Sequence, residues 1–346
     1  MSDFKLPTPA VPKGSLILIT GVNGYLASEL ALQLLTLGYR VRGTVRSLSK
    51  ANFLTTDVLK SHYTSGAFTV ITVPTLDGPN AFSEAVKDVS IIFHVATFGF
   101  SADPNEFIPR EVAAMRSILF AAKDEPSVKR FVLTSSIVAA ATYTPTSTEH
   151  LTATSWNEEA VKAAWAPPPY GPERMMAVYS ASKVAAEREL WRFREEERPA
   201  FGMNAVSPQS ILGRKLDREA GSVSAALIPD LFAGRTQVHD SVIPALSAVD
   251  VRDVALLHVA AALDGEVEGR RIYAWGRPVT WNVVLGVLRK FFPKKQFVEP
   301  RDPSIGYHLT ADLSFELGLL KKWGGQDDWK PLEETIWDNL DGVTDN

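Results

Sequence analysis

The chain has 346 residues, enough to bury a substantial core as two domains or as one elaborated domain. It contains no cysteine, which excludes disulfides, thiolate metal sites and a cysteine nucleophile, and its 6 histidines stand at no ligand spacing, so no metal site is expected. A formal net charge of -4, with 45% hydrophobic and 22% charged residues, offers neither the basic field of a nucleic-acid binder nor a polybasic membrane patch.

The opening "MSDFKLPTPAVPKGS" is polar, punctuated by proline and without an apolar core of signal type. Residues 1–13 read as a loosely ordered arm. No stretch approaches the ~20 apolar residues of a membrane span, so a cytoplasmic protein is expected. "SLILIT" is an apolar run too short for a helix and halted by Gly21, the signature of a buried parallel strand. "YLASELALQLLTLG" then repeats its apolar residues at three and four and stops at Gly38, as an amphipathic helix does. The alternation continues: "YRVRGTVR" strand, "AFTVITV" strand, "PNAFSEAVKD" helix, "SIIFHVA" strand, "REVAAMRSILFAAKD" helix, "VKRFVLTSS" strand. The long helix "PERMMAVYSASKVAAERELWRFREEE" follows, closed by Pro199, and then the strand "FGMNAVSP". Beyond Pro208 the rhythm loosens, although the helix "VDVRDVALLHVAAALDG" and the strand "RRIYAWG" rejoin it. The prediction is an α/β protein built on a doubly wound parallel sheet with helices on both faces. Residues 14–207 plus 246–276 form the sheet domain, and 208–245 plus 277–346 a smaller lobe. No internal repeat or low-complexity segment interrupts the chain.

The first strand runs into "TGVNGYLA", which places Gly21, Gly24 and Ala27 in a G-x-x-G-x-x-A pattern. A glycine-rich turn from strand to helix lets the backbone approach a pyrophosphate, and the helix start presents unpaired N–H groups and the positive end of its dipole. A merely structural tight turn is the alternative, disfavoured by its place after the first strand of an alternating chain. The sheet is therefore read as Rossmann-type. An NAD site carries an acid at the end of the second strand, where this chain has "VRGTVRSLSK" with Arg46 and Lys50. A guanidinium suits a ribose 2′-phosphate, so NADPH is expected, against the alternative of a solvated basic loop. In "YSASK", Tyr179 and Lys183 stand four apart on one helix face with only small residues between them. A cation there favours the phenolate, although such a pair also arises by chance on helix surfaces.

In order and spacing, "TGVNGYLA", "VRGTVRS", "HVAT", "VKRFVLTSS", "YSASK" and "DVRDVA" resemble the extended short-chain dehydrogenases/reductases. The resemblance points to the dihydroflavonol-4-reductase-like group, especially fungal NADPH-dependent aldehyde and ketone reductases and yeast-type methylglyoxal reductases. It implies that Tyr179 is the proton donor, that Ser136 hydrogen-bonds the carbonyl oxygen, and that Lys183 binds the nicotinamide ribose while its charge favours the phenolate. Ser135 is the competing serine. Strand alternation turns the two to opposite faces, and the family pattern selects Ser136. Around NADPH the resemblance implies Gly21, Asn23, Gly24, Tyr25 and Leu26 on the turn, with Arg46 and Lys50 at the 2′-phosphate. Thr75, Leu76, Ala96, Thr97 and Thr134 follow at strand ends. Pro208 and Ser210 lie beside the nicotinamide, with Tyr179 and Lys183. Phe98, Ser136, Ile137, Tyr170, Tyr179 and Gln209 are implied for the substrate, Trp165 more loosely, while Trp156 and Trp191 read as packing residues.

Three departures from the family pattern stand out. Thr75 replaces an aspartate that contacts adenine, with Asp77 two residues on; Ala114, Met115 and Ser117 replace Gly-Thr and Asn on the fourth helix; and "AWAPPPYGPERMM" is rich in proline. The expected function is NADPH-dependent reduction of a medium-sized, largely apolar aldehyde or ketone, by a monomer or homodimer with no nucleic-acid or membrane partner. The alternatives are a non-redox enzyme of the same fold (dehydration, cyclisation or epimerisation) and a catalytically silent NADPH sensor. An intact Ser136, Tyr179 and Lys183 argue against the sensor.

Overall fold

The computed structural model describes residues 6–143, 147–217, 222–236, 245–300 and 308–343. The chain runs β1 (Leu16–Ile19), α1 (Tyr25–Thr36), β2 (Arg40–Val45), a short α2 (Lys60–Thr64), β3 (Phe68–Thr72) and β4 (Ile91–His94). It continues through α3 (Pro104–Asp124), β5 (Arg130–Thr134), β6 (His150–Leu151), α4 (Glu158–Ala164), α5 (Met175–Glu197) and β7 (Gly202–Val206). The remainder holds β8 (Ser210–Leu212), α6 (Val223–Phe232), β9 (Ala245–Asp250), α7 (Val251–Leu263), β10 (Arg271–Ile272) and β11 (Arg277–Thr280). Last come α8 (Trp281–Phe291), β12 (Thr310–Ala311), α9 (Ser314–Gly324) and α10 (Leu332–Asn339).

Seven strands form the central sheet in the order β10-β7-β5-β4-β1-β2-β3, and every pairing is parallel. This is the doubly wound architecture expected from the alternation. All four residues of β1 are buried because helices cover both of its faces. On one face α1 and α7 bury Leu30, Leu34, Val254 and Leu257 against Ile17 and Ile19. On the other, α3 and α5 bury Ile118, Leu119, Leu190 and Phe193 against Leu18, Ile92 and Phe131. Chain order reverses between β1 and β4, and in such sheets the crevice at that reversal receives ligands.

Residues 79–88, expected as a helix, form successive turns instead. Asn80 and Asp88 take φ of 55° and 61°, left-handed values that an α-helix cannot propagate. Phe82, Ala85 and Val86 are nonetheless buried, so the apolar spacing marks packing rather than a regular helix. A second sheet, β11-β9-β8, belongs to the lobe where Leu227, Leu231, Trp281, Leu288 and Ile336 make a separate core. At Gly276 (φ +75°) any Cβ would meet the Ala248 carbonyl oxygen at 1.9 Å, so only glycine lets the chain pass there from β10 to β11. No described helix is long and apolar enough to cross a membrane.

Candidate active site

A cleft of about 560 Å³ opens at the reversal point. Its wall includes Gly21, Asn23, Gly24, Tyr25 and Leu26 from the turn before α1, and Arg46 and Lys50 beyond β2. Thr75 and Leu76 beyond β3, and Ala96, Thr97 and Phe98 beyond β4, belong to the same wall. Gly21 has φ +64°, and a Cβ there would lie 3.1 Å from the Ala96 Cβ. The turn is thus drawn tight against the β4 end, which leaves backbone as its surface. Gly24 precedes α1 without a side-chain cap, so the first N–H groups of a 12-residue helix face the cleft mouth unspent. Thr20 Oγ1 accepts hydrogen bonds from the Val95 and Ala96 amides at 2.9 Å and fixes the two strand ends together. Arg46 and Lys50 are exposed and make no ion pair with a described residue. A narrow backbone cradle, a helix start and two available cations fit a dinucleotide carrying an extra phosphate.

The two candidate serines are separated by the fold. Ser135 is buried and donates to Glu187 Oε2 at 2.5 Å. Ser136 is only partly buried, and its Oγ accepts a weak bond from Val138 N at 3.4 Å as it caps a short turn packed on α5. Lys183 is 7% exposed, and its Nζ lies 5.8 Å from the centre of the Tyr179 ring. It makes no hydrogen bond or ion pair to another described side chain. Thr134, Ser135 and Lys183 meet His94 and Glu111 around an internal cavity of about 10 Å³, the size of one water. Burial holds His94 neutral, its pKa pushed down to about 3, with the Lys183 charge adding to the effect.

The other expected residues spread around this centre. Pro208 accepts from the Ile137 amide at 3.0 Å, the Gln209 amide donates to the Ala274 carbonyl at 3.2 Å, and Ser210 opens β8. Ile137 itself is buried among Leu151, Tyr273 and Trp275. Tyr170 is exposed and accepts from Asn105 Nδ2 at 2.9 Å, with the Arg174 guanidinium 5.0 Å above its ring. Trp165 is exposed, Trp156 lies beneath Arg271 at 4.2 Å, and Trp191 donates to Glu187. Ala114 and Met115 are buried, Met115 against the small cavity, whereas Ser117 turns away and donates to the Gly78 carbonyl.

Three residues escaped the reading of the sequence. Phe100 is exposed, yet its ring sits 4.7 Å from that of Tyr179. Glu111 accepts from Thr97 Oγ1 at 2.6 Å and from the Phe98 amide at 2.9 Å, pinning the loop after β4. It occupies a place in the apolar stripe of α3 beside Phe107, Ile108, Ala114 and Met115, and an acid in such a stripe is the signal that would have found it. Arg110 lines the cleft from the next position.

A model of the NAD dependent epimerase/dehydratase family matches residues 17–274. The chain is 40% identical over 330 residues to the NAD-dependent epimerase/dehydratase terH of Aspergillus terreus, covering 94% of this chain and 96% of that protein. It is 36% identical to aldehyde reductase 2 of Sporidiobolus salmonicolor, covering 98% of this chain and 99% of that one. Among solved structures it resembles the yeast methylglyoxal/isovaleraldehyde reductase Gre2 complexed with NADPH, with a TM-score of 0.79 and 26% identity over 95% of this chain and 98% of the other.

Proposed function

Because the chain belongs to the NAD dependent epimerase/dehydratase family, among its extended short-chain dehydrogenases/reductases of the dihydroflavonol-reductase-like group, we propose that it is an NADPH-dependent carbonyl reductase. The observation that carries the reading is the Tyr179–Lys183 pair, whose Lys183 shares the small internal cavity with Ala96 of the dinucleotide-sized cleft, with a part-exposed Ser136 on the turn packed against the same helix. The smaller lobe, 208–245 plus 277–346 together with the β9 strand Ala245–Asp250 that pairs in its sheet, is proposed to hold the substrate. The glycine turn and the start of α1 hold the pyrophosphate, Arg46 and Lys50 the 2′-phosphate, and Lys183 the nicotinamide ribose. The bound nicotinamide supplies a hydride to the carbonyl carbon. The chain's own task is to orient the carbonyl and manage one proton. Ser136 donates a hydrogen bond to the carbonyl oxygen, a bond that strengthens as negative charge develops there. Tyr179 gives that oxygen its phenolic proton, and the Lys183 ammonium stabilises the anion left behind.

Phe100, Tyr170, Met176 and Trp165 are all exposed, in the segments leading into α3 and α5 or just before Tyr179. Phe100 packs on the Tyr179 ring and Tyr170 bonds Asn105 at the start of α3, so exposed aromatic surface borders the proposed proton donor and an apolar carbonyl compound is the preferred substrate class. The test is NADPH consumption against a panel of aromatic and aliphatic aldehydes and ketones, repeated with Tyr179→Phe. That variant keeps ring and packing and loses the acid. Unchanged NADPH binding with turnover lowered roughly 10²–10⁴-fold is expected. Near-normal turnover by Tyr179→Phe would overturn the mechanism. The name of the relative terH favours a second reading, in which the same cleft serves a non-redox reaction. Product formed without net consumption of NADPH would decide for it.

A further inference from the structure

We propose that Arg110 binds the adenosine half of the dinucleotide, in the place where the family pattern puts a carboxylate after the third strand. The inference rests on the dinucleotide reading of the cleft. Arg110 is the one α3 residue among those lining that cleft, which it shares with Thr75, Leu76 and Phe98. Asp77, two residues past the expected carboxylate position, is not among the lining residues. Its Oδ2 instead accepts a hydrogen bond from Arg110 Nε at 2.8 Å. That bond, with the charge behind it, holds the Asp77 carboxyl below its ordinary range, so the pair stays ionised at neutral pH.

The guanidinium is also fixed from beneath. Its carbon sits 4.4 Å from the centre of the Phe98 ring, while Phe98 is anchored through its amide to the buried Glu111 carboxylate at 2.9 Å. Glu106 stands 3.7 Å from Nη1, too far for a hydrogen bond. Only Nε is therefore hydrogen-bonded to a protein oxygen among the described residues, and the side chain retains 42% exposure. A planar cation held by one edge and one face, and open on the rest, is arranged to stack on a purine and to donate to a neighbouring ribose or phosphate oxygen. The acid is retained in a changed role, aiming an arginine at the adenosine instead of accepting from it.

Fluorescence titration of the intact chain with NADPH, NADH and adenosine 2′,5′-bisphosphate tests the assignment. Arg110→Ala is expected to weaken all three by about tenfold, because all three carry the adenosine. Arg46→Ala is expected to weaken only the two ligands that carry a 2′-phosphate. Arg110→Gln keeps a hydrogen bond to Asp77 and serves if the alanine variant loses stability; the same tenfold loss is expected. Wild-type affinity of both Arg110 variants for all three ligands would overturn the assignment and leave the cleft's reading intact. Failure of the wild-type chain to bind any of the three would overturn both.

Discussion

Ser135 and Ser136 are chemically identical neighbours, and the fold gives them opposite uses. Ser135 is spent inside the protein on Glu187, while Ser136 is only partly buried and its hydroxyl accepts no more than a weak bond from Val138 N. Ser135→Ala is expected to lower stability by about 1–2 kcal/mol, since it takes a donor from a buried carboxylate, and to leave much of the turnover. Ser136→Ala is expected to do the reverse, with unfolding unchanged and kcat down about a hundredfold to a thousandfold. Denaturant unfolding and steady-state rates on the two variants check this contrast; a loss of rate confined to Ser135→Ala would exchange the assignments. At Arg46 the expectation concerns cofactor choice. Arg46→Asp replaces a cation suited to a phosphate with an anion suited to a ribose hydroxyl pair, so the ratio of kcat/KM for NADPH over NADH should fall by about ten- to a hundredfold. Equal use of both cofactors by the wild type would remove the basis for it.

The proposed mechanism requires α5 to be held in one register so that Tyr179 and Lys183 can act with Ser136, and Glu187 anchors that helix. This carboxylate is fully buried and ties α5 to β5 through Ser135, to β10 through Arg271 Nε at 2.6 Å, and to its own next turn through Trp191. Arg271 is itself buried, bonded to the Ser155 carbonyl and lying over the Trp156 ring. Glu187→Ala leaves that guanidinium buried without its partner, a change that costs about 3–5 kcal/mol. Glu187→Gln, which keeps the shape and the hydrogen bonds from Ser135 and Trp191 in part, should cost less. Urea unfolding midpoints separate the two. Equal stability of Glu187→Ala and wild type would show that the helix is placed by its apolar face alone.

For the molecule as a whole, buried titratable groups set the response to pH. His94 and His258 are fully buried, and loss of hydration pushes their pKa down to about 3 and about 4 from 6.5. The unfolded chain takes up their protons first, so stability present above pH 6.5 is lost as the pH falls toward those values. Glu316 acts oppositely. Burial pushes its pKa up to about 7 from 4.5, so its contribution is whole below pH 4.5 and is lost as the pH rises through 7. At pH 5 the two histidines together cost roughly 4 kcal/mol and the relief at Glu316 returns roughly 2, so the histidines win. A net loss of roughly 2 kcal/mol between pH 8 and pH 5 is expected in denaturant titrations. Glu316→Gln removes the opposing effect and should widen that loss to roughly 4 kcal/mol. A flat profile in both proteins would mean that the histidines gain solvent before unfolding.

Local rules of the chain determined the parallel sheet, the glycine turn, the basic end of β2 and the Tyr179–Lys183 pair. Each depends on spacing within a few residues: apolar runs, a tight turn from strand to helix, one helical turn between partners. The turn-built segment 79–88 lay beyond those rules, because apolar spacing reports burial and is silent on the left-handed residues that break a helix. The same holds for Glu111, Arg110 and Phe100. Their partners are Thr97 and the Phe98 amide, Asp77, and Tyr179, the first two across a loop or a strand and the last on another helix. Which serine is spent inside the protein was likewise decided by Glu187, 52 residues away from Ser135. Sequence periodicity assigns a side chain to a face. Only packing decides which distant groups share that face, and in this protein those distant groups bound the cofactor cleft and fix α5 in place.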